Sequence, residues 1–236
     1  MLSRDVPRPF IETAISLLKK RGLSRIVEIG SMRHPLDHDI DKLDLHCCLD
    51  GHSSVHFARA TDEFVTVDID FATSINSGKA IKDVLGKFVT VVCKDGIEFL
   101  KEYDQPIDLL FLDAWDANLP GSAENHLQAF ISAEKNLHEN SLVLIDDTDV
   151  EPDGAGYVQM AADGMSGKGK LVIDHMAGHG WTVLFRGRET LLIKDSSNVD
   201  RDSIAEEIRD RVAKSRAEMA KAFPFYAVPT SDPCAF

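Results

Sequence analysis

An α/β fold is predicted, with a largely parallel sheet, helices on both of its faces and an antiparallel hairpin at one edge. Three observations predict it. Four apolar runs each end in acid: Ile26-Val27-Glu28, Phe64-Val65-Thr66-Val67-Asp68, Leu109-Leu110-Phe111-Leu112-Asp113 and Leu142-Val143-Leu144-Ile145-Asp146-Asp147. Strands buried on both faces of a parallel sheet read as continuous apolar runs. Helical segments separate the runs, and that alternation builds right-handed βαβ units. After Asp147 the pattern changes to two apolar runs, Trp181 to Phe185 and Thr190 to Ile193, around the turn Arg186-Gly187-Arg188-Glu189, which reads as a hairpin. Open α/β sheets bind ligands at the carboxyl ends of their strands, so the acids converge on one edge.

In chain order, Phe10, Ala14, Leu17 and Leu18 share one face of a helix that begins after Pro9 and stops at Gly22, and a first strand, Arg25 to Ile29, follows at once. Further strands are expected at Phe64–Val67, Phe88–Val92, Ile107–Leu112 and Leu142–Ile145, joined by helical segments around Ala80–Leu85, Ile97–Tyr103 and Asn125–Leu137. A Gly-rich stretch leads into the hairpin. Ile204, Ile208, Val212 and Met219 then form an apolar stripe on a highly charged helix from about Arg201 to Ala222. Residues 1–200 read as one domain with an insertion at about 32–50, and 201–236 as a helix and tail. That helix would dock on its own domain, on a second copy in a homodimer, or over the site.

Composition narrows the function classes. With 236 residues, 44% of them hydrophobic, the chain can bury a full core. A net charge of −13 and a pI near 5.1 argue against nucleic acid or an anionic membrane surface as partner, since both demand a basic footprint. No run approaches the roughly 20 apolar residues of a membrane span, and the amino terminus lacks the apolar stretch of a signal peptide, so cytoplasm is the expected location. Cys47 and Cys48 are adjacent, Cys93 and Cys234 are isolated, and no CxxC spacing occurs, which points to reduced thiols.

The segment Met32 to Asp50 carries His34, Asp37, His38, Asp39, Asp41, Asp44 and His46. Its spacing matches no closed metal site, and it reads as an inserted lid or solvated loop. A dinucleotide site wants G-x-G-x-x-G at the first turn, but Gly30 is followed by Ser31-Met32-Arg33-His34-Pro35. Gly167-Lys168-Gly169-Lys170 lacks the strand, spacing and Ser/Thr of a P-loop and reads as a turn.

These residues resemble the class I S-adenosylmethionine (SAM)-dependent methyltransferases. Val27-Glu28-Ile29-Gly30 is similar to that family's first-strand motif, and Asp50-Gly51-His52-Ser53-Ser54 to the G-x-S opening the following helix. Asp68 matches the acid that holds the ribose hydroxyls, and Asp95-Gly96 the position beside adenine. The resemblance covers about Ile26 to Lys194 and implies a Rossmann-like, seven-stranded sheet whose seventh strand is antiparallel. Glu28, Gly30, Ser31, Gly51, Ser53, Asp68, Asp95, Gly96, Asp113 and Trp115 are the implied cofactor residues, although Trp115 reads equally well as core.

Within the family, Asp108 to Trp115 and Ile145-Asp146-Asp147-Thr148 resemble the metal-dependent small-molecule O-methyltransferases of the catechol type and of antibiotic sugar modification. That resemblance implies Asp113, Asp146 and Asp147 as ligands of one Mg²⁺, or of another divalent ion such as Ca²⁺ or Mn²⁺. Hard oxygen donors on adjoining strand ends suit such an ion. The other reading is that Asp146 or Asp147 caps a helix or pairs with Arg or Lys. In-line transfer to a small-molecule hydroxyl, on a sugar or other natural product, is the implied reaction. Where catechol-type enzymes place a basic lysine, this sequence has Asp116, which makes Asp116 a candidate base beside Asp113; His126, His175 and His179 are further candidates. A metal-independent methyltransferase, a nicotinamide oxidoreductase and a cofactor-binding scaffold without catalysis remain as rival readings.

Overall fold

A computed structural model describes residues 4–42, 52–161, 167–194, 199–226 and 228–234. Gly51, Asp44, His46, Cys47 and Cys48 lie outside the described residues. The strands are β1 Ile26–Ile29, β2 Phe64–Asp68, β3 Thr90–Cys93, β4 Ile107–Leu112, β5 Leu137–Ile145, β6 Val150–Pro152, β7 Val158–Met160, β8 Thr182–Phe185 and β9 Thr190–Ile193. The helices are α1 Arg8–Lys20, α2 Ser53–Ala60, α3 Phe71–Leu85, α4 Gly96–Glu102, α5 Ser122–Ala133, α6 Lys170–Ala177 and α7 Arg201–Ala222. Seven strands form the main sheet in the order β3-β2-β1-β4-β5-β9-β8. β1 to β5 pair in parallel, while β9 runs antiparallel to both β5 and β8.

The continuous apolar runs are explained by layers on both faces. Along each strand alternate residues take opposite sides. Ile26, Phe64, Leu109, Phe111, Leu142 and Leu144 pack with α1, α2, α3 and α7 on one side. Val27, Ile29, Val67, Leu110, Leu112, Val143 and Ile145 pack with α4, α5 and α6 on the other. Strand order reverses between β1 and β4, and a crevice opens there.

The expected strands and the edge hairpin are present, with shifted boundaries. α3 begins at Phe71, nine residues before its expected start, because Asp70 caps it by accepting the Thr73 N–H at 2.8 Å. Its polar residues Thr73, Ser74 and Ser77 are buried, so no apolar period announces it. β3 starts at Thr90, leaving Phe88 exposed beneath the Lys82 ammonium. A single turn, Glu134–Asn136, ends α5 early, and β5 starts five residues before its expected position. The Gly-rich stretch holds a hairpin, β6 with β7, and the helix α6. α7 keeps the expected limits and docks on its own chain: Ile204, Ile208 and Val212 are buried with α1, which uses most of its apolar stripe inside the fold. Among the described residues no helix is long and apolar enough to cross a membrane.

Candidate active site

Gly30, just past β1, has φ +95°, a region L side chains rarely adopt. A Cβ there would lie 2.6 Å from the Asp113 carbonyl carbon. The chain leaving β1 therefore presses on the chain leaving β4, tied by the Asp113 N–H to the Ile29 carbonyl at 2.8 Å. Beside this contact lies a cavity of about 320 Å³ whose walls include Ser31, Asp68, Asp95, Gly96 and Trp115. Asp68 accepts the Ser31 N–H at 2.9 Å and the Asp70 N–H at 2.8 Å, which fixes its carboxylate at the cavity wall. Asp95 caps α4 through the Glu98 N–H at 3.0 Å and lines the same cavity. Trp115 has a left-handed backbone, φ 48°, anchored by the Ser122 hydroxyl donating to its carbonyl at 2.6 Å. Its ring meets Gly96 on one side and His126 edge-on at 5.3 Å, so it serves both core and cavity.

Two of the implied cofactor residues are placed differently from expectation. Glu28 is 0% exposed and lines neither this cavity nor its neighbour; its carboxylate accepts hydroxyls from Ser53 at 2.6 Å, Ser54 at 2.5 Å and Thr66 at 2.6 Å. It clamps the start of α2 to β1 and β2 from beneath. Ser53 donates its hydroxyl to that clamp and borders the neighbouring cavity instead.

This second cavity, about 500 Å³, shares Ser31, Arg33 and Asp113 with the first. Asp146, Asp147, Arg188 and Glu189 line it, as do His38 and His52, whose Nε2 atoms lie 2.8 Å apart. Asp113, Asp146 and Asp147 come together as expected, each with an oxygen within 4.8 Å of the others. Those oxygens are already held by cations. The Lys168 Nζ is 2.8 Å from Asp113 Oδ1 and 3.1 Å from Asp147 Oδ2. Arg188 Nε is 3.3 Å from Asp146 and 3.4 Å from Asp147. Arg4 reaches from the N-terminal segment to Asp147 at 2.9 Å and pairs with Asp149.

Burial disfavours charge on Lys168, but the carboxylates of Asp113, Asp147 and Asp146 outweigh it and hold the ammonium above its ordinary pKa. Burial likewise opposes ionisation of Asp147, yet Lys168, Arg188 and Arg4 bring its pKa well below the usual range. Asp113 is raised by burial and by the charges of Asp146 and Asp147, against the pull of Lys168. Glu189, 0% exposed, is raised well above the usual range by burial and by Asp146, and neither of its oxygens has a hydrogen-bond partner among the described residues.

The expected Mg²⁺, or Ca²⁺ or Mn²⁺, does not fit this donor set. Such ions need oxygens at about 2.0–2.6 Å that turn toward them, whereas the oxygens here face an ammonium and two guanidinium groups. Pairing with Arg and Lys, the other reading of Asp146 and Asp147, is what the structure contains.

The expected bases lie in different surroundings. Asp116 lines the first cavity, and both its oxygens accept from the half-exposed Arg33 guanidinium, one of them at 3.1 Å. His126 is fully buried beneath Trp115, lines neither cavity, bonds the Ser122 carbonyl through Nδ1 at 2.8 Å, and is pushed down to about 3 by burial and by Lys168. His175 and His179 stack on each other at the end of α6, away from both cavities.

Arg4, Lys168, Arg188 and Glu189 were not read from the sequence as site residues. One signal for Lys168 was present: glycine on each side of a lysine. A Cβ at Gly167 would lie 2.0 Å from the Asp147 carbonyl oxygen, and one at Gly169 2.8 Å from the Thr148 side chain. Only this bare backbone lets the turn press on the end of β5 and insert the lysine.

Fold and site together define the Rossmann-like methyltransferase architecture, a seven-stranded sheet with an antiparallel edge pair and a ligand crevice at the reversal of strand order. An rRNA methylase from Streptococcus thermophilus is similar over 82% of this chain and 99% of its own, at 10% identity and a TM-score of 0.51. NSun6 from Pyrococcus horikoshii, solved with SFG, is similar over 81% of this chain and 52% of its own, at 11% identity and a TM-score of 0.54. No protein-family model and no curated protein matches the sequence. At these identities the likeness is one of architecture.

Proposed function

We propose that this chain is a SAM-dependent methyltransferase that methylates a hydroxyl of a small polar molecule, a sugar or other natural product. One observation carries the reading: two cavities meet at a shared wall of Ser31, Arg33 and Asp113, at the sheet's reversal point. The smaller suits the methyl donor, and the larger the acceptor. Asp68, fixed by two backbone N–H groups, would accept the vicinal ribose hydroxyls, and Gly30 admits the cofactor close to the backbone. Asp95, Gly96 and Trp115 would border the adenine. Placing donor and acceptor in adjoining cavities converts a bimolecular encounter into a positioned one.

Bound SAM would supply an electrophilic methyl group to an acceptor oxygen placed in line with its carbon–sulfur bond, the sulfur departing as a neutral thioether. The hydroxyl proton would go to Asp113, the carboxylate common to both cavities. Lys168 steadies that carboxylate. The excess of acid over base in the chain, −13 overall, favours a small acceptor over nucleic acid.

Isothermal titration with SAM and S-adenosylhomocysteine (SAH), on wild type and Asp68→Asn, tests the donor half. Binding to wild type, weakened at least tenfold in the variant, is expected. An absence of binding by wild type overturns the proposal. Methyl transfer from labelled SAM to a panel of hydroxylated small molecules then tests the acceptor half.

A further inference from the structure

We propose that Lys168 takes the place of a divalent cation among Asp113, Asp146 and Asp147, so that the site works without metal. This builds on the methyltransferase reading only for the reaction served; the occupancy of the site stands by itself. Three features support it. First, the Lys168 side chain is 0% exposed, and its Nζ bridges two of the three carboxylates, hydrogen-bonded to Asp113 at 2.8 Å and ion-paired with Asp147 at 3.1 Å. Second, Arg188 spans Asp146 and Asp147, and Arg4 adds to Asp147, so the three acids already face three cations. A dication set among them would sit within a few ångströms of the ammonium, where like charges repel strongly at low dielectric. Third, the lysine is built in. The Gly167 and Gly169 backbone packs where no Cβ fits, the Lys168 N–H donates to the Asp147 carbonyl at 3.4 Å, and the Lys170 N–H closes the turn onto Gly167 at 3.1 Å. Withdrawing Lys168 to admit an ion would undo this turn.

The ammonium then does part of what a metal does in such a site. It holds Asp113 and Asp147 together. It offers no open coordination position, so it positions Asp113 without touching the acceptor oxygen. Lys168 is in this sense a positioning residue.

Manganese(II) binding followed by electron paramagnetic resonance tests the proposal directly. Wild type is expected to leave the free Mn²⁺ signal unchanged up to millimolar ion. Lys168→Met, which removes the charge and keeps the length, is expected to create one Mn²⁺ site at least tenfold tighter, lost again on adding Asp146→Asn. One Mn²⁺ bound by wild type at micromolar concentration and lost in Asp113→Asn would overturn the proposal. A folded Lys168→Met that binds no Mn²⁺ would overturn it equally. If that variant does not fold, the wild-type titration alone decides. SAM binding in the same samples, with and without chelator, keeps the two proposals apart: its absence sinks the methyltransferase reading and leaves the manganese result standing.

Discussion

His56 and His126 sit in the core with lowered pKa values, about 4 and about 3, burial being the main cause in each. Their unfolded value is about 6.5, so as pH falls below it the unfolded chain takes up protons that the fold refuses. The fold therefore keeps its full stability from these groups above about pH 6.5, and loses up to about 1.4 kcal/mol per pH unit for each histidine below it. Asp113 and Glu189, with raised values, respond in the opposite sense. The clean reading is a difference: the stability gap between wild type and His126→Leu should shift by about 2 kcal/mol in favour of the variant between pH 7 and pH 5, followed by urea unfolding. Glu28 invites a second comparison. Its three hydroxyl donors all need an acceptor, and Glu28→Gln replaces one acceptor oxygen with an NH₂ donor. A loss of about 1–3 kcal/mol is expected, together with weaker SAM binding as α2 shifts; an unchanged denaturant midpoint would remove the clamp from the account. The acid at this position was legible in the sequence, but its role was not, because its partners Ser53, Ser54 and Thr66 come from two other elements.

Among the elements, legibility followed burial. β1, β2, β4 and the inner half of β5 are covered on both faces, so their runs stood out, and the acids that end β2, β4 and β5 line the cavities while Glu28 of β1 does not. The first half of α3 and the β6–β7 hairpin have little apolar period, and α6 follows a stretch of glycines, so α3 was read only from Ala80 onward and the other two escaped notice. The junction of β1 and β4 is a close element contact at the site. Gly30→Ala places a methyl group 2.6 Å from backbone at a positive φ, a strain that the Asp113 segment cannot relieve without moving. We expect it to abolish measurable SAM binding and to lower the midpoint of thermal unfolding. Gly22→Ala, also at positive φ but in open space, serves as the control: it should retain cofactor binding. Equal binding losses in both would show that general strain, rather than closure of the crevice, is responsible.

For the whole molecule, net charge bears on the acceptor class we propose. The Streptococcus thermophilus neighbour is an rRNA methylase, but here net charge is −13. Filter binding at low salt should show no retention of RNA, since each phosphate contact requires a basic partner; salt-sensitive retention would move the acceptor class from small molecules to RNA. A ligand present at 100 times its Kd stabilises by about 2.7 kcal/mol, which for a chain of this size raises the unfolding midpoint by about 5–10 °C. SAH should produce that shift and NADH should not. A shift with NADH alone would return the oxidoreductase reading to favour.

By itself the sequence determined the α/β class, the edge hairpin, the long terminal helix and the edge of the sheet where chemistry gathers. These follow from periodicity and from strand ends, which are local and survive in one dimension. Tertiary structure alone decided what the acids face. Arg4, Lys168 and Arg188 lie far from Asp113 and Asp146 along the chain, two of them in segments that read as plain turns, and nothing local marks them as partners. An isolated triad of aspartates reads as a metal site because unbalanced charge demands a counterion. Folding supplies that counterion from three distant side chains, and the energy of such a pairing depends on distance and burial, neither of which is written at any single position.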